Sequence, residues 1–509
     1  MALPELHTDT GTDIEHVDVL IIGAGLSGIG AACHLERRCP GKTFAIVESR
    51  GEIGGTWDLF RYPGIRSDSD MFTLGYTFKP WKAAKALADG PSIRDYVREA
   101  ATEHDLDRRI RFNSKVIRAD WSSQTARWTV EVERTDTGER SRMSCGFLFG
   151  CTGYYRYDEG YTPEFEGIER FEGQVVHPQH WPEDLDYTGK RVLIIGSGAT
   201  AVTLLPAMTD RAEHVTMLQR SPSYVLSIPG SDPIALLLRR LLPAKTAYAV
   251  LRWKNVLLAM GLFGLSQRAP RLMRRLLRKG AQSRLPEGYA VDTHFNPSYK
   301  PWDQRMCMVP DGDFFKAISD GRASVVTDRI KTFTEKGIEL ESGSELEADI
   351  VVTATGLNLL VMGGISLGVD GQEVDISKTV GYKGMMFSGV PNMALTIGYT
   401  NSSWTLKADL VAEYVCRLLN HMDENGYDRC IPRRPAPSVD IEPFMNLQSG
   451  YVLRALDQLP RQGSVAPWRL NQNYVLDVQL MKRGSLMDEG IEFSAGAVTR
   501  QSPAEPVAA

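Results

Sequence analysis

A glycine-rich turn directly after an apolar strand constrains this chain more than any other feature. The stretch VDVLIIGAGLSGIGAACHLE places Gly23, Gly25 and Gly28 in the spacing G-x-G-x-x-G after a run of apolar residues. In dinucleotide-binding folds the first glycine forms the tight turn, the second lets the backbone approach a pyrophosphate, and the third lets the next helix pack on the strand. The pyrophosphate then lies at the N-terminus of that helix. The pattern predicts an α/β fold with a buried parallel sheet.

A second strand, TFAIVE, ends at Glu48. A carboxylate at this place can accept hydrogen bonds from both hydroxyls of an adenosine ribose. It would also repel a 2′-phosphate, so the nucleotide at this first site is expected to be unphosphorylated. A lone G-x-G-x-x-G is a weak signal, and Glu48 makes it a specific one.

The same arrangement occurs a second time in KRVLIIGSGATAVTLLP, where Gly196, Gly198 and Ala201 occupy the three positions of the turn. The strand that follows, HVTMLQRSP, ends in Arg220 and Ser221 instead of an acid. A guanidinium offers several donors to a phosphate, which favours NADP(H) over NAD(H) at this second site. An arginine that is merely solvated at a strand end is the alternative.

One turn is followed by an acid suited to an unphosphorylated ribose, and the other by an arginine suited to a 2′-phosphate. This combination indicates a flavoprotein in which NADPH reduces bound FAD. The strand ends LFGCTGYY and DIVVTATGLN mark places where the chain could cross between two nucleotide-binding domains. A flavin disulfide reductase has the same layout but needs a redox-active cysteine pair. None of the seven cysteines forms a C-x-x-C pair or another metal-ligand spacing, so neither that class nor a metal site is expected.

The charge of the chain is unevenly distributed. Its net charge is -5, yet residues 233–286 contain twelve Lys or Arg and no Asp or Glu. Leucines at helical spacing accompany these cations. One interpretation is a helical subdomain whose cations are solvated or attract an anionic cofactor, and the other is contact with an anionic membrane surface. No nucleic-acid-reading motif is present, so nucleic acid is not an expected partner.

No signal-peptide pattern is visible, and no uncharged apolar run reaches the roughly 18 residues of a spanning helix. The odd number of cysteines also favours a reducing compartment over a disulfide framework. We therefore expect a cytoplasmic protein, with membrane association through the basic segment left open.

Two longer motifs lead to a known family. The stretch FEGQVVHPQHWP fits F-x-G-x-x-x-H-x-x-x-W-P through Phe171, Gly173, His177, Trp181 and Pro182. The stretch GGTWDLFRYPGIRSD fits G-x-W-x-x-x-x-Y-P-G-x-x-x-D through Gly55, Trp57, Tyr62, Pro63, Gly64 and Asp68. With these motifs the chain resembles the class B flavoprotein monooxygenases, and within them the type I Baeyer-Villiger monooxygenases. The sequences PWDQRMCMVP and GYTNSSWTLKADL are most similar to those of the actinobacterial branch that contains the ethionamide-activating monooxygenase.

The resemblance implies two Rossmann-like dinucleotide-binding domains, one for FAD and one for NADP. The FAD domain would combine residues 1–157 with residues 386–509. The NADP domain would span 165–385 and carry a helical insertion at about 223–300, where the basic segment falls. Residues 1–14 and the tail RQSPAEPVAA look disordered by composition.

The resemblance also implies a reaction. FAD and NADPH would serve to convert hydrophobic ketones to esters or lactones with molecular oxygen, through a C4a-peroxyflavin. Arg305 would be the fixed cation beside the reacting groups, and Asp68 the carboxylate that holds it. Gln304 stands where many members of the family have a lysine, which removes one cationic contact to NADP. Further cofactor-binding positions would be Gly55, Thr56, Trp57, Asp58 and Tyr62.

Several alternatives stay open. In the family the motif around His177 acts as a hinge contact that couples domain movement to cofactor position, and direct acid/base chemistry is the other interpretation. An apolar pocket is suggested by Trp302, Trp404, Met306 and Met308. The same flavin chemistry could oxygenate a sulfide or thioamide instead of a ketone. A flavoprotein that only oxidises NADPH and has a role at a membrane surface is the third interpretation.

Overall fold

Helices and short strands alternate along the chain in the computed structural model, which describes residues 14–83, 85–304, 306–445 and 447–495. Within these residues the helices are α1 (Leu26–Arg38), α2 (Thr56–Leu59), α3 (Met71–Leu74), α4 (Gly90–Glu103), α5 (Ala199–Met208), α6 (Pro233–Leu241), α7 (Ala244–Arg268), α8 (Pro270–Gln282), α9 (Val291–His294), α10 (Asp313–Ser319), α11 (Trp404–Asn425), α12 (Gly450–Leu453) and α13 (Tyr474–Asp477). The strands are β1 (Glu15–Ile22), β2 (Phe44–Val47), β3 (Ile110–Arg111), β4 (Ser114–Ser122), β5 (Arg127–Arg134), β6 (Arg140–Gly150), β7 (Tyr155–Gly160), β8 (Gln174–Val176), β9 (Arg191–Ile195), β10 (His214–Gln219), β11 (Val225–Ile228), β12 (Cys307–Pro310), β13 (Ala323–Thr327), β14 (Ile330–Phe333), β15 (Gly337–Leu340), β16 (Glu345–Glu347), β17 (Ile350–Thr353), β18 (Leu357–Leu359), β19 (Ser366–Val369), β20 (Gln372–Glu373), β21 (Gly381–Tyr382), β22 (Met386–Phe387), β23 (Met393–Leu395), β24 (Arg429–Pro432), β25 (Ile441–Pro443), β26 (Arg461–Gly463) and β27 (Ile491–Ser494).

The larger sheet contains the first predicted nucleotide turn. Its strands follow the order β20-β19-β4-β5-β6-β1-β2-β3, and β23 adds to β6. The central strand β1 is parallel to both β2 and β6. All four residues of β2 are buried, as expected for a strand covered on both faces. The predicted buried parallel strands are therefore present at this turn.

Both ends of the chain build this first unit. Strand β23 pairs with β6, and the long helix α11 packs on α1. Strand β19 also pairs with β4, although it lies inside residues 165–385, the span predicted for the NADP domain. The chain therefore returns to the larger sheet earlier than residue 386, because the antiparallel β7–β18 pair brings it back. The other predicted domain boundaries stay predictions.

A smaller sheet contains the second predicted nucleotide turn. Its five strands follow the order β13-β10-β9-β17-β8 and are all parallel. Helix α5 packs on β9 and β10, and α10 packs on α5 and β13. The β7–β18 pair lies on the two chain segments that connect the sheets. These are the segments in which the sequence predicted crossings.

The basic segment forms the consecutive helices α6, α7 and α8, as predicted for the insertion. Strands β11 and β12 flank it and pair with each other. Arg252 in α7 is buried and donates hydrogen bonds to the carbonyl oxygens of Phe72 (3.0 Å) and Gly75 (2.6 Å). The insertion is thereby attached to the unit that contains the larger sheet.

Among the helices of the described residues, none combines the length and the apolar character that a membrane crossing requires. The terminal segments predicted to be disordered lie outside the described residues, except for Ile14.

Candidate functional site

A cavity of about 580 Å³ lies at the carboxyl end of β1. Gly23 and Gly25 line it from the first turn, and Glu48 lines it from the end of β2. In doubly wound sheets, ligands bind at this carboxyl edge. The cavity therefore collects the residues that the sequence assigned to the first nucleotide.

Two of the three glycines of the first turn, Gly23 and Gly28, are required by local geometry. Gly23 has φ +105°, and a Cβ there would lie 2.6 Å from the carbonyl oxygen of Cys151. A Cβ at Gly28 would lie only 1.8 Å from the Gly23 oxygen. Gly25 faces Gly55, whose Cα would be 3.5 Å from an added Cβ. The residues therefore fit the tight turn, the helix packing and the close approach to a ligand that a dinucleotide needs.

Glu48 is held as a hydrogen-bond acceptor at the cavity wall. Its Oε2 accepts from the Ala24 N–H at 2.7 Å and its Oε1 from the Arg50 N–H at 2.9 Å. Burial raises the pKa of this carboxyl, and the two N–H groups oppose that shift. The carboxyl is fixed in position by the turn itself, so it suits the ribose hydroxyls of a nucleotide on Gly25.

The loop and short helix that follow bring most of the second motif into the same cavity. Gly55, Thr56, Trp57 and Tyr62 all line it. Gly55 has φ +57°, a conformation that favours glycine. Tyr62 is buried, and burial raises the pKa of its hydroxyl.

Asp58 does not line the cavity, unlike the other residues of this loop that were predicted to bind the cofactor. Its buried carboxylate accepts hydrogen bonds from Arg50 and Arg61, both at 2.8 Å. The structure thus gives Asp58 a position inside an ion-pair cluster behind the loop. Direct contact between its side chain and a cofactor is not supported by this geometry.

The second turn repeats the geometry of the first. Gly196 has φ +135°, and a Cβ there would lie 2.2 Å from the Ala354 oxygen. Ala201 is fully buried in the helix α5. Gly198, at the N-cap of α5, has no atom of the described residues within 4 Å of an added Cβ. Open space therefore lies above Gly198, where a pyrophosphate would approach the helix N-terminus.

Arg220 and Ser221 lie exposed beyond the end of β10. Over the described residues, the Arg220 guanidinium takes part in no hydrogen bond or ion pair. Gly198, Arg220 and Ser221 are not part of the cavity wall, but Ala199 and Thr203 of α5 are. The helix of the second turn thus borders the cavity that contains the first turn.

His177 lies between the two segments that connect the sheets. Its Nε2–H donates to the Gly356 oxygen at 3.3 Å, and its Nδ1 accepts from the Gln179 N–H at 3.2 Å. A Cβ on Gly160 would lie 2.0 Å from the ring. These contacts require a neutral imidazole, and burial lowers the pKa of His177. The position suits a hinge contact, which stays a prediction.

The other residues of this motif are structural neighbours of the smaller sheet. Phe171 is buried and packs on Phe333, with ring centroids 6.1 Å apart. A Cβ on Gly173 would lie 2.5 Å from the Asp349 oxygen. Trp181 is half-buried against the core beneath the second turn. They lie outside the cavity wall.

Asp68 lines the cavity, and Arg305 lies outside the described residues. Of the four residues expected to form an apolar pocket, Met308 and Trp404 line the cavity. Trp302 and Met306 instead belong to a small separate cluster with Tyr224.

The comparisons with known proteins agree with this arrangement. Residues 21–90 match the NAD(P)-binding Rossmann-like domain family, and residues 86–241 match the flavin-binding monooxygenase-like family. The chain is 58% identical over 481 residues to the FAD-containing monooxygenase EthA of Mycobacterium tuberculosis, covering 94% of this chain and 98% of that protein. The chain belongs to the FAD-containing monooxygenases.

Another member of this family, the probable FAD-binding monooxygenase AlmA of Acinetobacter baylyi, is 49% identical over 494 residues, which cover 97% of this chain and 99% of that protein. A solved steroid monooxygenase bound to NADP has a TM-score of 0.72 at 22% identity and covers 94% of this chain and 100% of that chain. The structure of OTEMO in complex with FAD and NADP has a TM-score of 0.71 at 20% identity. The match covers 95% of this chain and 100% of the OTEMO chain. The predicted fold and enzyme class, and the resemblance to the branch that contains EthA, are confirmed.

Sequence reasoning missed several residues of the cavity wall in this member of the family. Arg66 lines the cavity and forms an ion pair with Asp313 at the start of α10, 247 residues away. No spacing in the sequence could have indicated this pair. The strand ends already recognised at LFGCTGYY and DIVVTATGLN could have indicated six more residues of the wall, which are Cys151, Thr152, Gly153, Tyr154, Tyr155 and Leu357.

Proposed function

We propose that this monooxygenase uses FAD and NADPH to insert one oxygen atom beside the carbonyl of hydrophobic ketones, giving esters or lactones. The observation that carries the proposal is the single cavity shared by the first turn, the motif loop with Asp68, and helix α5 of the second turn. A shared cavity allows two nucleotides to meet at one reacting centre. Bound flavin would supply electron transfer from NADPH and the activation of molecular oxygen.

The residues present fit both nucleotides. Gly23, Gly25 and Gly28 would hold the pyrophosphate of FAD at the start of α1, and Glu48 would bind its ribose. Gly196, Gly198 and Ala201 would do the same for NADPH at the start of α5.

Arg220 and Ser221 would bind the 2′-phosphate of NADPH. The Arg220 guanidinium has no partner among the described residues, which supports this role, since its charge is available to a ligand. Gln304, which stands in place of the family's lysine, provides no positive charge for this phosphate. Arg220 would therefore be its cationic contact without help from that lysine.

At the reacting end, the protein has to exclude water and stabilise negative charge. Trp404, Met308 and Leu360 line the cavity and favour apolar substrates. Arg305 would stabilise negative charge that develops on the ketone oxygen, because a guanidinium stays charged throughout the reaction. Asp68 would orient Arg305. His177 would couple movement between the two sheets to the position of the nucleotides.

Oxygenation of a sulfide or thioamide sulfur is the second candidate function. The apolar wall around Met308 and Leu360 favours it, because a sulfur nucleophile develops no negative oxygen that must be stabilised by a cation. The two reactions thus differ in their dependence on Arg305.

Mass spectrometry after incubation with oxygen-18 gas tests both. FAD-loaded protein is given NADPH and a mixture of a long-chain methyl ketone, an aryl ketone and an aryl sulfide. An ester with one heavy oxygen, lost in Arg305→Ala, supports the proposal. Labelled sulfoxide alone, unaffected by Arg305→Ala, favours the second candidate. NADPH consumption that yields only hydrogen peroxide contradicts both and leaves the NADPH-oxidising flavoprotein.

A further inference from the structure

Helix α7 is apolar on both sides. Tyr248, Arg252 and Val256 follow one another at intervals of one turn and are buried against the protein. On the opposite side, Val250 and Leu257 are exposed, with Leu257 57% accessible. A helix at the surface of a water-soluble protein normally presents polar residues there. Within the part of the chain that the structure describes, the apolar outer side of α7 therefore has no partner that covers it.

The neighbouring helices continue this exposed apolar surface. Helix α6 packs on α7, and its outer residues Ile234, Leu237 and Leu241 are exposed, Leu241 to 69%. Helix α8 also packs on α7 and exposes Leu272 and Leu276. Contiguous exposed apolar surface of this kind marks an interaction site. We call the outer sides of α6, α7 and α8 the leucine-arginine surface.

The cations of the segment divide into two groups. Six of the twelve have a hydrogen-bond or ion-pair partner. Four of these bind residues outside the three helices: Arg239, Arg252, Arg274 and Arg278. Lys254 pairs with Asp232 at the start of α6, and Arg284 donates to the Gly280 oxygen of α8. The other six are exposed and have no hydrogen-bond or ion-pair partner among the described residues: Arg240, Lys245, Arg268, Arg271, Arg275 and Lys279. The free cations flank the exposed leucines, and the segment has no acid of its own.

We propose that the leucine-arginine surface docks the protein on an anionic lipid bilayer. Exposed leucines gain free energy by entering the boundary between headgroups and acyl chains, and the flanking cations are attracted to lipid phosphates. A second copy of the chain is a poorer partner, because a two-fold contact would bring the same free cations together. The proposal goes beyond the reaction proposed above and does not depend on it.

Vesicle sedimentation tests the proposal with the full-length, FAD-loaded protein at physiological salt. The protein should sediment with vesicles of phosphatidylcholine and phosphatidylglycerol, and much less with phosphatidylcholine alone. The triple variant Arg271→Gln/Arg275→Gln/Lys279→Gln should lower the partition coefficient about a hundredfold, since each cation near an anionic surface contributes roughly fivefold. Leu237→Gln/Leu257→Gln/Leu276→Gln should lower it on both kinds of vesicle.

Matched controls lie elsewhere on the surface. Arg108→Gln/Arg142→Gln/Lys190→Gln removes three exposed cations, and Ile441→Gln/Leu453→Gln/Met487→Gln removes three exposed apolar side chains. Both should bind vesicles like the unmodified protein. Flavin absorbance and the melting temperature establish that each variant is folded.

Three results would overturn the proposal. The first is absence of sedimentation with anionic vesicles. The second is an equal loss of binding in the control and test variants. The third is a dimer, seen by light scattering, that the leucine variant dissociates while vesicle binding is unchanged, which would make the surface a contact between copies.

Discussion

Arg252 and Asp409 form a buried ion pair in which Nη2 of the arginine lies 3.2 Å from Oδ2 of the carboxylate. The pair joins α7 of the basic segment to α11, which packs on α1. Asp409 also accepts a hydrogen bond from His34 in α1, at 3.2 Å. Burial alone would raise the pKa of Asp409, but His34 and Arg252 lower it. One carboxylate thus connects the first nucleotide helix to the insertion.

Replacement of Arg252 by methionine should destabilise the protein strongly. It removes the arginine partner of the buried Asp409 carboxylate, which among the described residues keeps only His34 and the Thr77 N–H, and it removes the donor to three carbonyl groups. We expect the free energy of unfolding to fall by about 3–5 kcal/mol in urea titrations. Lys254→Met, two residues away and partly exposed, should cost less than about 1 kcal/mol. Similar losses in both variants would mean that Arg252 is not the anchor of the helix.

Alanine substitutions at the two nucleotide turns should have different effects on stability and on nucleotide binding. Gly28→Ala places a methyl group against backbone, so it should lower the free energy of unfolding by about 1–3 kcal/mol and yield protein that has lost FAD. Gly198→Ala meets open space and a normal φ, and the poorer N-cap opposes the entropic gain, so the free energy of unfolding should change by less than about 1 kcal/mol. Its methyl group would instead occupy the approach of the pyrophosphate and raise the KM for NADPH about tenfold or more, since each 1.4 kcal/mol of lost binding is roughly tenfold.

The variants are compared by flavin absorbance after purification, by thermal melting and by steady-state NADPH oxidation. A Gly198→Ala protein with an unchanged KM for NADPH would contradict the assignment of the second turn.

Arg220→Gln should change nucleotide preference without changing stability. Loss of a charge-assisted hydrogen bond of about 1.5–3 kcal/mol corresponds to a rise of roughly 10- to 100-fold in the KM for NADPH. The KM for NADH should stay the same, because NADH has no 2′-phosphate. Lys190→Gln, an exposed cation at the opposite end of β9, is the control. Equal effects on both nucleotides would exclude Arg220 from the phosphate site.

The stability contributed by His177 should decrease toward acid pH. Because burial lowers its pKa below the ordinary 6.5, the unfolded chain takes up a proton in a pH range where the folded protein does not. Protonation also removes the acceptor for the Gln179 N–H. The melting temperature should exceed that of His177→Gln at pH 7.5, and the difference should shrink at pH 5.5.

The variant His180→Gln, which changes an exposed histidine three residues away, should show no such pH-dependent difference from the unmodified protein. If the difference in melting temperature between the unmodified protein and His177→Gln is larger at pH 5.5 than at pH 7.5, His177 is protonated in the folded state.

The sequence predicted best those features that depend on short-range spacing. Gly23, Glu48 and Gly196 follow apolar strands, and a strand followed by such a turn specifies its own geometry. The contacts of Asp58 could not be predicted in this way, because its carboxylate pairs with Arg50 and Arg61, and no motif spacing indicates these partners. Arg66 was missed because its partner Asp313 belongs to a helix that is distant in the sequence.

The return of β19 to the larger sheet could not be predicted from spacing either. Its pairing with β4 depends on how the connecting segments cross, and a short strand of this kind carries little pattern of its own. The apolar outer side of α7 was visible in the sequence only as leucines at helical spacing. Which of them face solvent depends on where Arg252 attaches the helix.

The packing of α11 on α1 has a consequence for how the protein is made. During synthesis on the ribosome, α1 emerges long before α11, and the whole smaller sheet is translated between them. The surface of α1 that α11 covers, including Ser27 with its 2.7 Å hydrogen bond from Trp404, stays open in the nascent chain. Exposed apolar surface of this kind attracts chaperones or aggregates. We therefore expect the proposed FAD site to close only after translation has passed α11, which would make cofactor insertion a late step in maturation.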